Sequence, residues 1–429
     1  MAKNILYSNL KGTKDFLPAE QVVREKIVAI MKEVFSLYGF LPVETPILNS
    51  LELLSSKYAG GAEILKEVYS LRDQGERDLG LRYDLTVPFS KLVAGNPELV
   101  LPFRRFEIGR VFRNGPVKLG RMREFYQCDV DVCGIAGNDI EVEMMNMTVE
   151  LFNRLDIDVV IEWNNRKLMS GLILEAGIEQ NKVAATILVV DKLEKYGKNT
   201  VSKELQDMGI NAASVEKLLE FFNLPTNELF AKFENTSNEL LAEGLSQVSS
   251  INNLISQYEL QNNTKFVPSL ARGLDIYTGT VWEVFERNRA MNCSLAGAGR
   301  YDAIITNFVD NGNIYPAVGI GFGLEPIYEI YKSKLSDEAT SLVDVYIYSF
   351  SKNKYVLDCA KFLRSQGLSV IVEMQNIKLK KALPWAEKNG INNVLIIGET
   401  EEQENVVTYK NLKTSTQETL TLQELVNKI

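Results

Sequence analysis

The stretch Arg123-Glu124-Phe125-Tyr126-Gln127-Cys128-Asp129-Val130-Asp131-Val132-Cys133 decides how the chain is read. Gln127, Asp129 and Asp131 alternate with Cys128, Val130 and Val132, the period-two pattern of a strand with one polar and one apolar face. Three polar groups on one face have two readings. They form a solvated sheet surface, or the floor of a polar pocket on a rigid strand. The strand before it, 102–113, and the loop 114–122 carry Arg104, Arg105, Arg110, Arg113, Lys118, Arg121 and Arg123, seven cations within 20 residues. Alone, such a cluster is a salt-bridged surface. A cationic, glycine-containing loop opposite a carboxylate strand suits a ligand with phosphates at one end and an amine or imidazole at the other.

Outward from this pair, residues 19–38 have the apolar spacing of an amphipathic helix, stopped at Gly39. An extended segment, 40–45, ends at Pro46. Residues 165–250 read as helical, with polar joints at Lys198-Asn199-Thr200 and Asn223-Leu224-Pro225. Strand character returns at 276–286. A polar linker follows at 333–341. Beyond it, strands alternate with helices: 343–349, 352–366, 368–373, 378–389, 394–397, 406–409 and a short terminal helix. That order predicts a separate α/β unit with a largely parallel sheet.

Composition narrows the chemistry. The 429 residues include no histidine. A Ser-His-Asp or Cys-His relay, a histidine base and a histidine-ligated metal are therefore all excluded. Cys128, Cys133, Cys293 and Cys359 form no C-x-x-C pair, which gives no metal or redox motif. The longest apolar runs, such as Val394-Leu395-Ile396-Ile397, fall far short of the ~18 residues of a membrane span. The start has no apolar signal core. A reduced, cytoplasmic location is expected. The net charge of −9 argues against blanket nucleic-acid binding but allows a local basic site.

Two further segments stand out. In Ala271-Arg272-Gly273-Leu274-Asp275-Ile276-Tyr277-Thr278-Gly279, a charged residue precedes an apolar-alternating run, as for an arginine held at a strand start. Ala296-Gly297-Ala298-Gly299-Arg300-Tyr301-Asp302 has small residues that let a ligand approach the backbone, or simply make a turn.

Together these segments resemble the histidyl-tRNA synthetases, a class II aminoacyl-tRNA synthetase family. Lys11-Gly12-Thr13-Lys14-Asp15 is similar to the family's amino-terminal signature, and the helix 19–38 with the strand to Pro46 is similar to motif 1. Residues 112–129 resemble motif 2. Arg272 to Gly279 and Gly299 to Asp302 resemble the two histidine-specific motifs. The resemblance implies an α+β fold. A catalytic antiparallel sheet flanked by helices spans 1–332, with a helical insertion near 165–250. An α/β anticodon-binding domain spans 342–429. It implies activation of L-histidine with ATP, accompanied by magnesium, and transfer to tRNA(His) by a homodimer. Asp84, Leu85, Thr86, Arg113, Gln127, Asp131, Arg272, Ile276 and Tyr277 would bind histidine. In this reading Asp84, Thr86 and Gln127 hold the α-amino group, while Asp131 and Tyr277 read the imidazole. Arg113, Arg121 and Arg272 would bind ATP, with Arg272 and Arg113 catalytic and no resident metal.

The chain departs from the pattern in places. Pro326 stands where motif 3 has a phosphate-gripping arginine, leaving Lys332 or Lys334 as candidate replacements. Gly115 stands where motif 2 has an acidic residue. Ile276 replaces a tyrosine, and Ala298 a glycine. One lost charge-assisted phosphate contact costs about 1.5–3 kcal/mol, or roughly 10- to 150-fold. The alternative is therefore a catalytically altered paralogue, either a histidine-sensing regulatory subunit of histidine biosynthesis or a tRNA-binding sensor. The complete carboxy-terminal region favours the ligase.

Overall fold

The computed structural model describes residues 7–56, 66–118, 120–272, 276–291, 293–334, 342–351 and 353–429. Gly273, Leu274 and Asp275 of the first histidine motif, and residues 335–341 of the expected linker, lie outside the described residues. The chain divides into two compact units, one holding Arg24–Ser333 and the other Lys334–Ile429 with Phe16–Val23.

The first unit is built on an eight-stranded sheet. In chain order its strands are β1 (Leu41–Pro42), then, after a small three-stranded sheet of β2 (Leu48–Ser50), β3 (Ser70–Arg72) and β4 (Asp78–Leu81), β5 (Phe103–Phe112), β6 (Glu124–Cys133), β7 (Val159–Asn165), β8 (Thr264–Phe266), β9 (Thr280–Glu286), β10 (Ala296–Arg300) and β11 (Ala317–Gly323). Their spatial order is β1-β5-β6-β11-β10-β9-β7-β8. All neighbours are antiparallel except β1 with β5 and β7 with β8. The expected antiparallel sheet and the strands 102–113 and 123–133 are therefore present, the latter within one residue.

The helix Pro18–Leu37 ends as its sequence predicts. Gly39 sits at φ +75°, the left-handed turn that closes a helix, and the Phe40 N–H donates back to the Phe35 carbonyl at 3.1 Å. Its face of Ile27, Met31, Val34 and Phe35 is fully buried. The Phe35 ring meets Phe106 of β5 and Phe322 of β11, with centroids 5.6 and 5.7 Å away. This apolar layer covers the back of the sheet and leaves the opposite face for chemistry.

The expected insertion is helical from Arg166–Glu175 to Glu239–Gln257. The chain breaks direction at Gly197 (φ 77°, ψ 167°), so the first polar joint falls just before the predicted 198–200. Residue 197 is the one whose backbone tolerates that conformation. The two bounding helices cross closely. A Cβ at Gly171 would lie 2.6 Å from the Leu241 Cα, and one at Gly244 only 2.3 Å from the Leu168 backbone nitrogen. Gly244→Ala is expected to force the helices apart and cost about 1–3 kcal/mol, read as a lower midpoint in urea unfolding.

The second unit carries β12 (Val345–Ser349), β13 (Val370–Val372), β14 (Asn393–Ile397), β15 (Val407–Asn411) and β16 (Thr416–Leu420) in the order β13-β12-β14-β15-β16. Only β13, β12 and β14 are parallel; β15 and β16 add as an antiparallel hairpin. The largely parallel sheet read from the sequence is thus mixed. The strand that was missed, Thr416–Leu420, is largely exposed, so no apolar alternation announces it. Apolar clusters lie on both sheet faces, one around Val345, Ile347 and Leu395, the other around Tyr346, Ala382 and Val394.

Candidate active site

The polar face of β6 is a pocket floor. A cavity of about 360 Å³ opens over it, lined by Asp84, Thr86, Arg113, Gln127, Asp129, Asp131, Arg272, Ile276 and Tyr277, with Tyr83, Phe125, Tyr301 and the glycines of β10 and β11. The antiparallel register explains how. Asp131 stands between Arg105 of β5 and Gly319 of β11, Asp129 between Glu107 and Gly321, and Gln127 between Gly109 and Gly323. Each polar side chain therefore lies beside a residue with no side chain. A Cβ at Gly319 would sit 2.0 Å from the Asp131 Oδ1, and one at Gly321 2.8 Å from the Asp129 Oδ1.

The next strand repeats the device. Gly297 pairs across the sheet with Gly321, and Gly299 with Gly319. A Cβ at Gly297 would fall 1.4 Å from the Arg272 Nη1, and one at Gly299 2.6 Å from the Tyr277 Cδ1. Arg272 and Tyr277 therefore lie flat against β10, with the guanidinium 5.6 Å from the tyrosine ring centre.

Asp131 is firmly held. Arg105, fully buried, places its Nη2 2.6 Å from the Asp131 Oδ2, and the Tyr301 hydroxyl donates to Oδ1 at 2.5 Å. Arg105 also donates to the Leu85 carbonyl at 3.0 Å and stacks on Phe89, 4.5 Å from its centroid. Asp129 is held more loosely, accepting from the Gln127 Nε2 at 3.2 Å. Burial, then the nearby Asp131, push the Asp129 carboxyl up to about 8, against the pull of Arg105.

Two cations face this floor. Arg113 donates to the Gln127 Oε1 at 3.1 Å and to the Tyr83 carbonyl at 3.2 Å, and stacks 4.2 Å over the Tyr83 ring. Arg272 lies 3.8 Å from Glu283, and its buried Nη1 makes no hydrogen bond. Burial opposes its charge, but Tyr277, Glu283 and Asp191 outweigh burial and hold its pKa above the usual value. A fixed guanidinium with an unspent N–H is suited to an anionic oxygen.

Of the residues picked out by sequence, Leu85 and Arg121 do not line the cavity. Leu85 is fully buried and offers only its carbonyl, to Arg105. Arg121 is 46% exposed and lies 3.9 Å from Glu67. Arg105, Asp129, Tyr301 and the glycine rows were missing from the predicted site. Pairing β5 with β6 in register would have exposed Arg105 as the partner of Asp131, and the alternating glycines of 317–323 mark the strand that makes room. Pro326 is the third residue of the helix Leu324–Lys334, inside the first turn where no N–H is needed. Its neighbour Glu325 pairs with Arg24 at 2.9 Å. Neither Lys332 nor Lys334 lines the cavity; Lys332 lies 5.6 Å from the Tyr328 ring centre. Among the described residues no group of three or more Cys, Asp or Glu is placed to hold a metal. No helix among them is long and apolar enough to cross a membrane.

The sequence matches the model of the family described as histidyl-tRNA synthetase over residues 12–327. The chain belongs to the histidyl-tRNA synthetase family. An anticodon binding domain model matches residues 344–429. Among relatives, a protein named Histidine--tRNA ligase 1 from Bacillus cereus is 44% identical over 407 residues, covering 94% of this chain and 95% of that protein. A Histidine--tRNA ligase from Clostridium tetani is 32% identical, covering 99% of each. The crystal structure of histidyl-tRNA synthetase from Nostoc sp. PCC 7120 superposes with a TM-score of 0.83 at 27% identity over 99% of both chains. Within the histidyl-tRNA synthetase fold, the histidine-specific segment 299–302 has divided duties. Gly299 clears Tyr277 and Tyr301 holds Asp131. Arg300 turns away to bind Glu141 at 2.8 Å, and Asp302 accepts from the Ala317 N–H at 2.9 Å.

Proposed function

We propose that this chain is a histidine–tRNA ligase that activates L-histidine with ATP, accompanied by magnesium, and passes it to the 3′ end of tRNA(His). The observation that carries this reading is the shared cavity, in which a carboxyl-bearing floor meets two fixed guanidiniums, Arg113 and Arg272. Magnesium is read as travelling with the ATP phosphates. Asp84, Thr86 and Gln127 receive the amino group, and Asp131 accepts from an imidazole N–H. Arg105 and Tyr301 fix the Asp131 carboxylate in place. Tyr277 offers a hydroxyl to the bare ring nitrogen.

In the first step a histidine carboxylate oxygen attacks the α-phosphorus of ATP, and the bond to pyrophosphate breaks. Arg113 and Arg272 hold the charge that builds on the α-phosphate oxygens, which is electrostatic work that needs no histidine side chain. In the second step a hydroxyl of the terminal adenosine attacks the activated carbonyl, and AMP leaves. The region 342–429 serves as the anticodon-binding domain, where the exposed Lys378, Lys380 and Lys381 supply cations for tRNA phosphates. The working enzyme is a cytoplasmic homodimer with its catalytic domain over 1–332.

Histidine-dependent ATP–pyrophosphate exchange tests the reading. Pro326 in motif 3 favours the rival, a histidine-sensing paralogue. Folded protein that binds histidine yet shows no exchange would establish that rival instead. Asp131→Ala is expected to weaken histidine binding by about 1.5–3 kcal/mol, checked by titration calorimetry. An unchanged dissociation constant would remove Asp131 from the histidine site.

A further inference from the structure

The cavity holds one carboxyl without a cation. Glu107 is met by Arg82 at 2.8 Å, Asp131 by Arg105 at 2.6 Å, and Glu283 by Arg272 at 3.8 Å. Asp129 forms no ion pair among the described residues. Its hydrogen bond comes from the neutral Gln127 amide, and the side chain is 4% exposed. Every element around it adds the same sign or nothing. Asp131 shares its strand, Glu107 stands opposite on β5, and Asp84 lies in the turn before the helix Thr86–Gly95. β11 offers only Gly321, and Arg105 is committed to Asp131. A buried carboxyl with no counter-charge, facing an open cavity, is completed by a ligand that brings a cation.

We propose that Asp129 is the docking group for the α-ammonium of the amino-acid substrate. The proposal rests on the histidine-ligase reading and adds to it a group that sequence comparison of the pocket had not placed in the site. Phosphate is excluded at this point because a carboxyl repels it. A neutral imidazole brings no charge, and Asp131 already faces the ring. The ammonium alone supplies the missing positive charge, and Gln127, bridging Asp129 and Arg113, sets the carboxyl toward it.

A protonic consequence follows. Free of ligand near pH 7, Asp129 carries its proton, since burial and Asp131 raise it to about 8. Docking of a cation favours the carboxylate, so the proton leaves to solvent as the ammonium arrives. Affinity therefore rises with pH up to about 8 and levels off above it.

The test uses the full chain, L-histidine and imidazolepropionate, the same molecule without its amino group. Asp129→Asn keeps the shape and the Gln127 contact but removes the charge. The expected result is a loss of histidine affinity on the order of 10- to 100-fold, with imidazolepropionate affected by less than about threefold. Calorimetry in two buffers of different ionisation enthalpy should count about one proton released per histidine by the wild type near pH 7, and none by Asp129→Asn. The wild-type proton count stands even if the variant fails to fold, and a count of zero overturns the proposal. Equal losses for both ligands also overturn it. A wild type that binds no histidine overturns the ligase reading together with it, whereas tight histidine binding undisturbed by Asp129→Asn overturns this proposal alone.

Discussion

Arg272→Ala is expected to lower histidine-dependent ATP–pyrophosphate exchange by about 10²–10³-fold, with histidine affinity largely kept. The guanidinium lies flat on β10 with a buried, hydrogen-bond-free Nη1 facing the cavity, near Glu283 and Tyr277. Its charge acts mainly as the α-phosphate becomes more negative, so removal falls on the rate rather than on amino-acid binding. Pyrophosphate exchange in pre-steady state, with a separate calorimetric histidine titration, separates the two. Normal exchange would remove Arg272 from the mechanism. Gly297→Ala supplies an independent route to the same defect. It leaves the arginine in the sequence but puts a carbon 1.4 Å from where Nη1 rests, so the guanidinium must move. Matching rate losses in the two variants would show that the position of Arg272, and not merely its charge, serves the reaction.

Arg105→Met is expected to destabilise the protein by about 3–5 kcal/mol. Arg105 is wholly buried between Asp131 and the Leu85 carbonyl, with Glu107 3.8 Å away. Methionine fills similar space but leaves carboxylates facing one another without a cation. The midpoint of urea unfolding reads the loss. Its pH dependence has a definite sign. Without Arg105 the floor carboxyls rise further in the folded state, so folding of the variant retains protons that neutral solution removes. The deficit is therefore largest at neutral pH and shrinks on acidification. A deficit independent of pH would point to lost packing against Phe89 instead.

The sheet, its helical cover and the polar strand were legible because each depends on local periodicity. The alternation of 123–133 gave β6 and its polar face, and the apolar spacing of 19–38 gave the covering helix. What the sequence did not show was pairing. Arg105 looked like one cation among seven until the register set it opposite Asp131. Asp129 looked equivalent to Asp131 until the structure gave one a guanidinium and left the other without. Thr416–Leu420 escaped because an exposed edge strand needs no apolar face. Leu85 and Arg121 came in with the family motif. The buried leucine contributes a backbone carbonyl, and Arg121 points to a surface carboxylate.

The glycine rows bear on redesign. An engineer seeking a pocket for a different amino acid would start from side chains that touch the ligand. Gly297, Gly299, Gly319 and Gly321 touch nothing of their own, yet each occupies the spot where a methyl group would displace Arg272, Tyr277, Asp131 or Asp129. In a saturation library these four positions should be as intolerant as the groups they shelter. Variation should survive instead at lining positions such as Thr86 and Ile276, where a changed side chain alters the cavity without evicting a neighbour.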